Sequence, residues 1–371
     1  MNKKQKVVVA MSGGVDSSVA AYLLKKQGYD VIGVFMRFWA PDEVPGMPLC
    51  AFENLCCSAE AKEAVEKTAN KLKIPFHVLD LRKFFKKNIV NYFIDEYLSG
   101  RTPNPCVVCG QKIKFEALFQ KARKIFEADY IATGHYCTIR ANKTYKLLKG
   151  RDKNKDQSYF LYTATQKVLK HFLFPIGGYT KKEVRKIAKD NRLPSCARRE
   201  SQEICFVPNA NYREFLKTQI YANKKRRPTR IKKGKIIDSK GNNIGTHNGI
   251  AFYTLGQRRG IGIVQKKPLY VVEIRPKDNV LVVGPEKALY KKELLAKNIN
   301  WILGKAPKRG EKVKAKIRYQ MGEQEVQVYP ENRNTIRVVF KKPQRAITPG
   351  QSIVLYSKDE VLGGGVIEKI L

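Results

Sequence analysis

Residues Ser12-Gly13-Gly14-Val15-Asp16-Ser17-Ser18 follow directly on the apolar run Val7-Val8-Val9-Ala10, an order suited to holding a pyrophosphate. Glycines let the backbone approach an anion closely. A helix beginning near Ser17 would aim unpaired N–H groups and a partial positive charge at it. The pattern G-x-x-x-x-G-K-[ST] is missing here, so the loop does not suggest transfer of a γ-phosphoryl group. A second set of residues is suited to sulfur chemistry. Asn104-Pro105-Cys106-Val107-Val108-Cys109 stands just ahead of the helical stretch Lys112-Ile113-Lys114-Phe115, and Glu200-Ser201-Gln202-Glu203-Ile204-Cys205-Phe206 comes much later. A helix start with Lys112 and Lys114 nearby stabilises a thiolate, the nucleophilic form of cysteine.

The Ser12–Ser18 string resembles the PP-loop ATP pyrophosphatases, which split ATP to AMP and pyrophosphate, usually by adenylating a carbonyl or carboxylate oxygen. With the two cysteine segments, the chain is similar to the tRNA-specific 2-thiouridylase family. Gly134-His135-Tyr136, Lys155-Asp156-Gln157-Ser158-Tyr159-Phe160-Leu161 and Tyr253-Thr254-Leu255-Gly256-Gln257-Arg258 extend the resemblance over nearly the whole chain. It implies that Ala10, Met11, Ser12, Gly13, Gly14, Val15, Asp16, Ser17 and Met36 hold ATP, with Gly134 also at the nucleotide. Cys109 would be the nucleophile and Cys205 the persulfide-bearing cysteine. Asn104, Pro105 and Cys106 would meet the target base; Lys155, Asp156, Gln157, Arg318 and Tyr319 would contact tRNA. The implied reaction adenylates the C2 oxygen of wobble uridine and replaces it with sulfur, giving 2-thiouridine, AMP and pyrophosphate. Mg²⁺ would neutralise the pyrophosphate, with Asp16 a candidate contact. The implied partners are tRNAs for Lys, Glu and Gln and a sulfur donor such as a cysteine desulfurase or relay protein.

Cys106 departs from the family pattern, in which some members carry Asp, so a general acid or base role is not carried over to it. The change creates C-x-x-C plus a distant third cysteine. Cys106, Cys109 and Cys205 could therefore hold a [4Fe–4S] cluster with one open iron, as an alternative to a disulfide and persulfide cycle. No fourth ligand stands at standard zinc spacing. Cys56-Cys57 reads as an unremarkable vicinal pair, and Cys50, Cys137 and Cys196 as small buried hydrophobes or surface thiols. His135 fits a nucleotide frame and a structural role equally.

These residues need a scaffold. The first half alternates strand-like runs (Val7 to Ala10, Tyr29 to Met36, Pro75 to Leu81, Tyr130 to His135) with helical ones (Ala20 to Gln27, Ala59 to Leu72, Phe84 to Leu98, Phe115 to Phe126). That is the pattern of an α/β fold with a doubly wound parallel sheet, which binds ligands beyond the carboxyl ends of its strands. After about residue 210 the texture turns to β-branched segments with frequent turn signals, such as Gly234 to Asp238 and Tyr270 to Ile274. Short alternating strands at Lys312 to Tyr319, Glu325 to Tyr329, Thr335 to Phe340 and Gln351 to Tyr356 then predict a small C-terminal β-barrel. The expected division is 1–210 for the nucleotide-binding and catalytic domain, 211–284 for a central β-rich tRNA-contacting domain and 285–371 for a tRNA-binding barrel.

At 371 residues the chain can bury cores for two or three domains. Lys plus Arg number 72 against 33 Asp plus Glu, a formal net charge of +39, which favours a polyanionic partner, nucleic acid first. Basic residues cluster at Lys224-Lys225-Arg226-Arg227, Arg230, Lys232-Lys233, and again at Lys341-Lys342 with Arg345. With no signal-peptide pattern and no apolar run of membrane-spanning length, the expected setting is cytoplasmic, without a membrane partner. The eight cysteines then read as thiols, ligands or catalytic groups rather than a disulfide framework. Two other functions compete: a PP-loop amidating ligase using ammonia, and a non-enzymatic RNA-binding protein with a degenerate nucleotide site.

Overall fold

Alternate residues of the first strand face two different cores. In β1 (Lys6–Met11), Val7, Val9 and Met11 pack on one side and Val8 and Ala10 on the other. In β2 (Asp30–Arg37), Val31 and Phe35 oppose Ile32, Val34 and Met36 in the same way. Strands apolar on both faces require helices on both, which is how a parallel sheet is covered. A computed structural model describes residues 4–39, 58–197, 204–222, 231–263, 265 and 267–371. Cys50, Cys56, Cys57, residues 200–203 and the basic group from Lys224 to Arg230 lie outside these, as does the Cys196 side chain.

The first sheet has the order β3-β2-β1-β4-β7, all parallel, with β3 at Phe76–Asp80, β4 at Tyr130–Thr133 and β7 at Phe172–Leu173. One face is covered by α1 (Val15–Lys26), α2 (Ala59–Leu72) and α5 (Lys181–Asp190). The other carries α3, from Arg82 to Leu98, and α4, from Pro105 to Phe126. Both passes through this second face contain π-helical turns, at Lys86–Val90 and Gly110–Leu118, a feature frequent beside functional sites. α6 (Tyr212–Ala222) adds Phe215, Leu216 and Ile220 to the same core.

A smaller sheet has the order β10-β11-β8-β9, formed by Tyr270–Arg275, Val280–Gly284, Gly234–Ile237 and Asn243–His247. Six further strands close into a barrel: β12 (Tyr290–Trp301), β13 (Glu311–Lys316), β14 (Gln324–Asn332), β15 (Thr335–Arg345), β16 (Ser352–Ser357) and β17 (Glu360–Ile370), with β12 pairing β17. Ile336, Val338 and Phe340 alternate inward to meet Val326, Val328, Ile353 and Leu355. The nucleotide half joins this barrel through a hairpin, β5 (Cys137–Ala141) and β6 (Tyr145–Lys149), where Leu148 pairs Glu360. Lys146 adds an ion pair to Glu360 at 2.7 Å. The helix expected from Ala20 begins earlier, at Val15, because Gly14 already acts as its N-cap residue.

Candidate active site

The sheet order reverses between β1 and β4, and the loop after β1 lies at that switch point. Gly13 takes a φ of 76°, which a glycine adopts without strain. The Ser12 N–H donates to Ser17 Oγ at 3.1 Å, while Ser17 Oγ and Ser18 Oγ each donate to the Gly14 carbonyl at 3.1 Å. These bonds curl the loop over the α1 N-terminus, where Gly14 supplies no capping side chain and the helix end stays oriented for an anion. Ala10 and Met11 end β1, and Met36 stands beside them near the end of β2. Gly134 follows β4 and touches the same turn: a Cβ there would sit 2.6 Å from Ser17 N and 2.7 Å from the Asp16 carbonyl carbon. The fold thus brings all ten residues expected at ATP to one edge of the sheet.

Asp16 does not face this edge as an open ligand. Lys181 Nζ donates to both of its carboxylate oxygens at 2.8 Å, and Tyr136 Oη donates to Oδ1 at 2.6 Å. Lys181 is placed there by a capping box, in which Thr180 Oγ1 accepts from Glu183 N at 3.3 Å and Glu183 Oε2 accepts from Thr180 N at 2.6 Å. The candidate Asp16–Mg²⁺ contact therefore finds its carboxylate already occupied by a cation. Sequence reasoning missed Lys181, which lies 165 residues from Asp16 and whose only local signal is that it begins a helix. His135, next to Gly134, is half-buried; desolvation and the Lys114 cation hold its pKa well below the usual 6.5. The neutral ring accepts from Lys114 Nζ at Nε2, 2.8 Å, and donates from Nδ1 to Thr133 Oγ1, 2.7 Å.

Lys114 belongs to α4, the helix that begins at Pro105 with the cysteine pair. Asn104 is its N-cap, accepting from Val107 N at 3.4 Å, and Pro105 fills the first helical position, where its missing N–H costs nothing. Cys106 is exposed and Cys109 half-buried. Cys205 is also half-buried, anchored by its neighbour Phe206, whose ring meets Phe93 at 5.2 Å, Phe215 at 5.5 Å and Phe85 at 5.6 Å. Cys109 and Cys205 pack against one and the same core. Among the described residues no three or more His, Cys, Asp or Glu side chains form a group able to hold a metal ion. Cys137 is fully buried, and burial pushes its thiol pKa well up, as suits a core residue.

Of the remaining expected residues, Asp156 and Tyr319 line a groove of about 880 Å³ between the β5–β6 hairpin and the barrel, whereas Lys155, Gln157 and Arg318 are not among its lining residues. Seven Lys and Arg side chains line it, among them Arg140, Arg151, Lys153 and Lys316, against three carboxylates. Tyr319 forms part of its wall and rests on Phe160, with ring centroids 4.5 Å apart. Arg318 reaches the Arg345 carbonyl at 3.2 Å and the Ala346 carbonyl. Asp156 is buried and turned inward, accepting from Gly150 N, Ser158 N and Ser158 Oγ at 3.0–3.1 Å. Gln157 Oε1 accepts from Tyr136 N at 3.0 Å, which ties the groove loop to the Asp16 partner.

A parallel sheet carrying this loop at its switch point, followed by two β domains, is the build of a PP-loop ATP-using enzyme. Residues 5–209 match a family model described as the tRNA methyl transferase HUP domain, 224–285 its PRC-barrel domain and 291–367 an aminomethyltransferase β-barrel domain. The tRNA-specific 2-thiouridylase MnmA of Clostridioides difficile strain 630 is 47% identical over 374 residues, covering 100% of this chain and 99% of its own. A namesake from Thermoanaerobacter sp. strain X514 is 48% identical and fully covered on both sides, and one from Clostridium perfringens strain 13 is 44% identical with 99% covered on each. The chain belongs to the tRNA-specific 2-thiouridylase family.

Proposed function

We propose that the protein is a tRNA-uridine 2-sulfurtransferase that converts wobble uridine to 2-thiouridine at the expense of ATP. The observation that carries this reading is the tie between the two chemistries: α4, which begins with Cys106 and Cys109, is bonded through Lys114 to His135, next to the Gly134 that touches the phosphate loop. The C2 oxygen of uridine attacks the α-phosphorus, and the pyrophosphate leaves toward the loop N–H groups. The terminal sulfur of a Cys205 persulfide then attacks C2, and AMP departs with the C2 oxygen. The Cys109 thiolate attacks Cys205 Sγ, forming the Cys109–Cys205 disulfide as the other S–S bond breaks and 2-thiouridine leaves with the electron pair. A thiol reductant restores the pair. The sulfur donor, such as a cysteine desulfurase or relay protein, reloads Cys205. Mg²⁺, where bound with ATP, would neutralise the departing pyrophosphate.

Asn104, Pro105 and Cys106 border the target base in this reading, and Lys155, Arg318 and Tyr319 meet the tRNA backbone while Asp156 and Gln157 shape the loop. The substrates are the tRNAs for Lys, Glu and Gln, in the cytoplasm; among the described residues no helix is long and apolar enough to cross a membrane. Residues 1–210, 211–284 and 285–371 serve as catalytic domain, central tRNA-contacting domain and tRNA-binding barrel. The test is thiolation of unmodified tRNA with ATP, Mg²⁺ and a sulfur source, read as 2-thiouridine by mass spectrometry. Cys205→Ala is expected to abolish product while tRNA affinity stays within about twofold, because Lys and Arg dominate a polyanion interface. Equal loss of binding and product would overturn the reading, and AMP release without thiolation by the native protein would favour the amidating alternative.

A further inference from the structure

The segment that leads into the cysteine helix is held from the barrel as well as from the nucleotide half, where Tyr92 meets the Asn104 backbone. Thr102 N donates to the Pro349 carbonyl at 2.9 Å. Gln351 Nε2 donates to the Thr102 carbonyl at 3.0 Å and to the Pro103 carbonyl at 2.9 Å. Tyr159 Oη donates to the Ser352 carbonyl at 2.9 Å and also meets the Asn104 side chain. Gly350, at a φ of 92°, allows this approach: a Cβ there would stand 2.7 Å from the Thr102 oxygen. Gln351 is itself fixed, since its carbonyl accepts from Ile367 N at 2.8 Å in β17. One barrel turn, Pro349 to Ser352, thus grips residues 102 to 104, and Asn104 caps the helix turn that ends in Cys109.

We infer that Gln351 is a positioning residue for sulfur transfer: its amide sets where the Asn104 cap, and with it the Cys109 thiol, stands relative to the bound uridine. This rests on the reading of Cys109 as the attacking thiol. An amide that donates to two successive carbonyls fixes both the direction and the depth of the strand feeding the helix. Displacements of about 1 Å at a reacting group cost up to about 10²-fold in rate. Glutamine suits the task because its NH₂ offers two donors to two acceptors. Methionine, similar in volume, offers none.

The experiment is single-turnover thiolation by the full-length protein at saturating ATP and tRNA, with Cys205 preloaded with sulfur, comparing native protein, Gln351→Met, Gln351→Ala and Cys109→Ala. For both Gln351 variants the expected result is a rate lowered about tenfold or more, with the Kd for tRNA and the KM for ATP within about twofold and Tm within a few degrees. Native rates in Gln351→Met would overturn the inference. So would a rate loss matched by equal losses in tRNA affinity or Tm, which marks a packing role only. Full activity in Cys109→Ala would instead overturn the nucleophile reading. An inactive Cys109→Ala beside an unimpaired Gln351→Met would defeat the positioning role alone.

Discussion

Lys181 and Asp16 share two hydrogen bonds at 2.8 Å, with the lysine head nearly out of solvent and the carboxylate less than a third exposed. Removing one member of such a pair leaves the other partly desolvated, at a cost of about 1–3 kcal/mol. Asp16 stands in the first turn of α1, so the strain would fall on the loop proposed to receive pyrophosphate. Lys181→Met is therefore expected to raise the KM for ATP and slow tRNA-dependent AMP release by about tenfold, the equivalent of roughly 1.4 kcal/mol, while Lys181→Arg recovers part of both. A steady-state AMP assay decides it: unchanged ATP kinetics in Lys181→Met would show that the pair serves stability alone. The loop itself was legible in the sequence, since its glycines and serines are contiguous and act through backbone geometry. Lys181 was not, because nothing local distinguishes it from the chain's many other lysines.

Elements that carry their own caps and alternation were equally legible. α2 spans Ala59–Leu72 as its periodicity suggests, with Ser58 accepting from Ala61 N and Lys73 closing it in the left-handed conformation. The strands β12 and β17 escaped notice. β12 reads Tyr-Lys-Lys-Glu-Leu-Leu-Ala-Lys-Asn-Ile-Asn-Trp, a barrel strand whose outer face is charged, and β17 contains Gly363, Gly364 and Gly365, a run that looks like a turn but lies where neighbouring strands leave no room for side chains. The contact between α1 and the turn after β4 makes the sharpest prediction at this scale. Gly134→Ala places a methyl 2.6 Å from Ser17 N, and backbone on both sides must yield, an overpacking cost of about 1–3 kcal/mol. Thermal melting should show the loss, and isothermal titration should show weakened ATP binding; a variant with native Tm and native ATP affinity would refute the close approach.

At the scale of the whole molecule, charge and architecture converge on the groove between hairpin and barrel. An excess of 39 positive charges is spread over the chain, but the groove concentrates seven cations around Tyr319. Each cation that meets a phosphate contributes about one unit to the slope of log affinity against log salt. Lys153→Ala and Arg140→Ala should each flatten that slope by about one for tRNA while leaving ATP binding untouched; a slope that does not move would place the tRNA elsewhere. The groove was invisible in the sequence because its walls come from two segments far apart in the chain. That same distance governs how the molecule is made. The Lys146 and Lys149 contacts to Glu360 and the Lys358 carbonyl each span more than two hundred residues, and β17 leaves the ribosome long after β6. During synthesis the outer edge of β6 therefore waits through most of the chain's production before its partner exists, an exposed strand edge of the kind that invites wrong pairing. Four cations among its neighbours Arg140, Lys143, Lys146 and Lys149 repel the like-charged copies emerging nearby, so charges that serve the finished surface also guard the unfinished one.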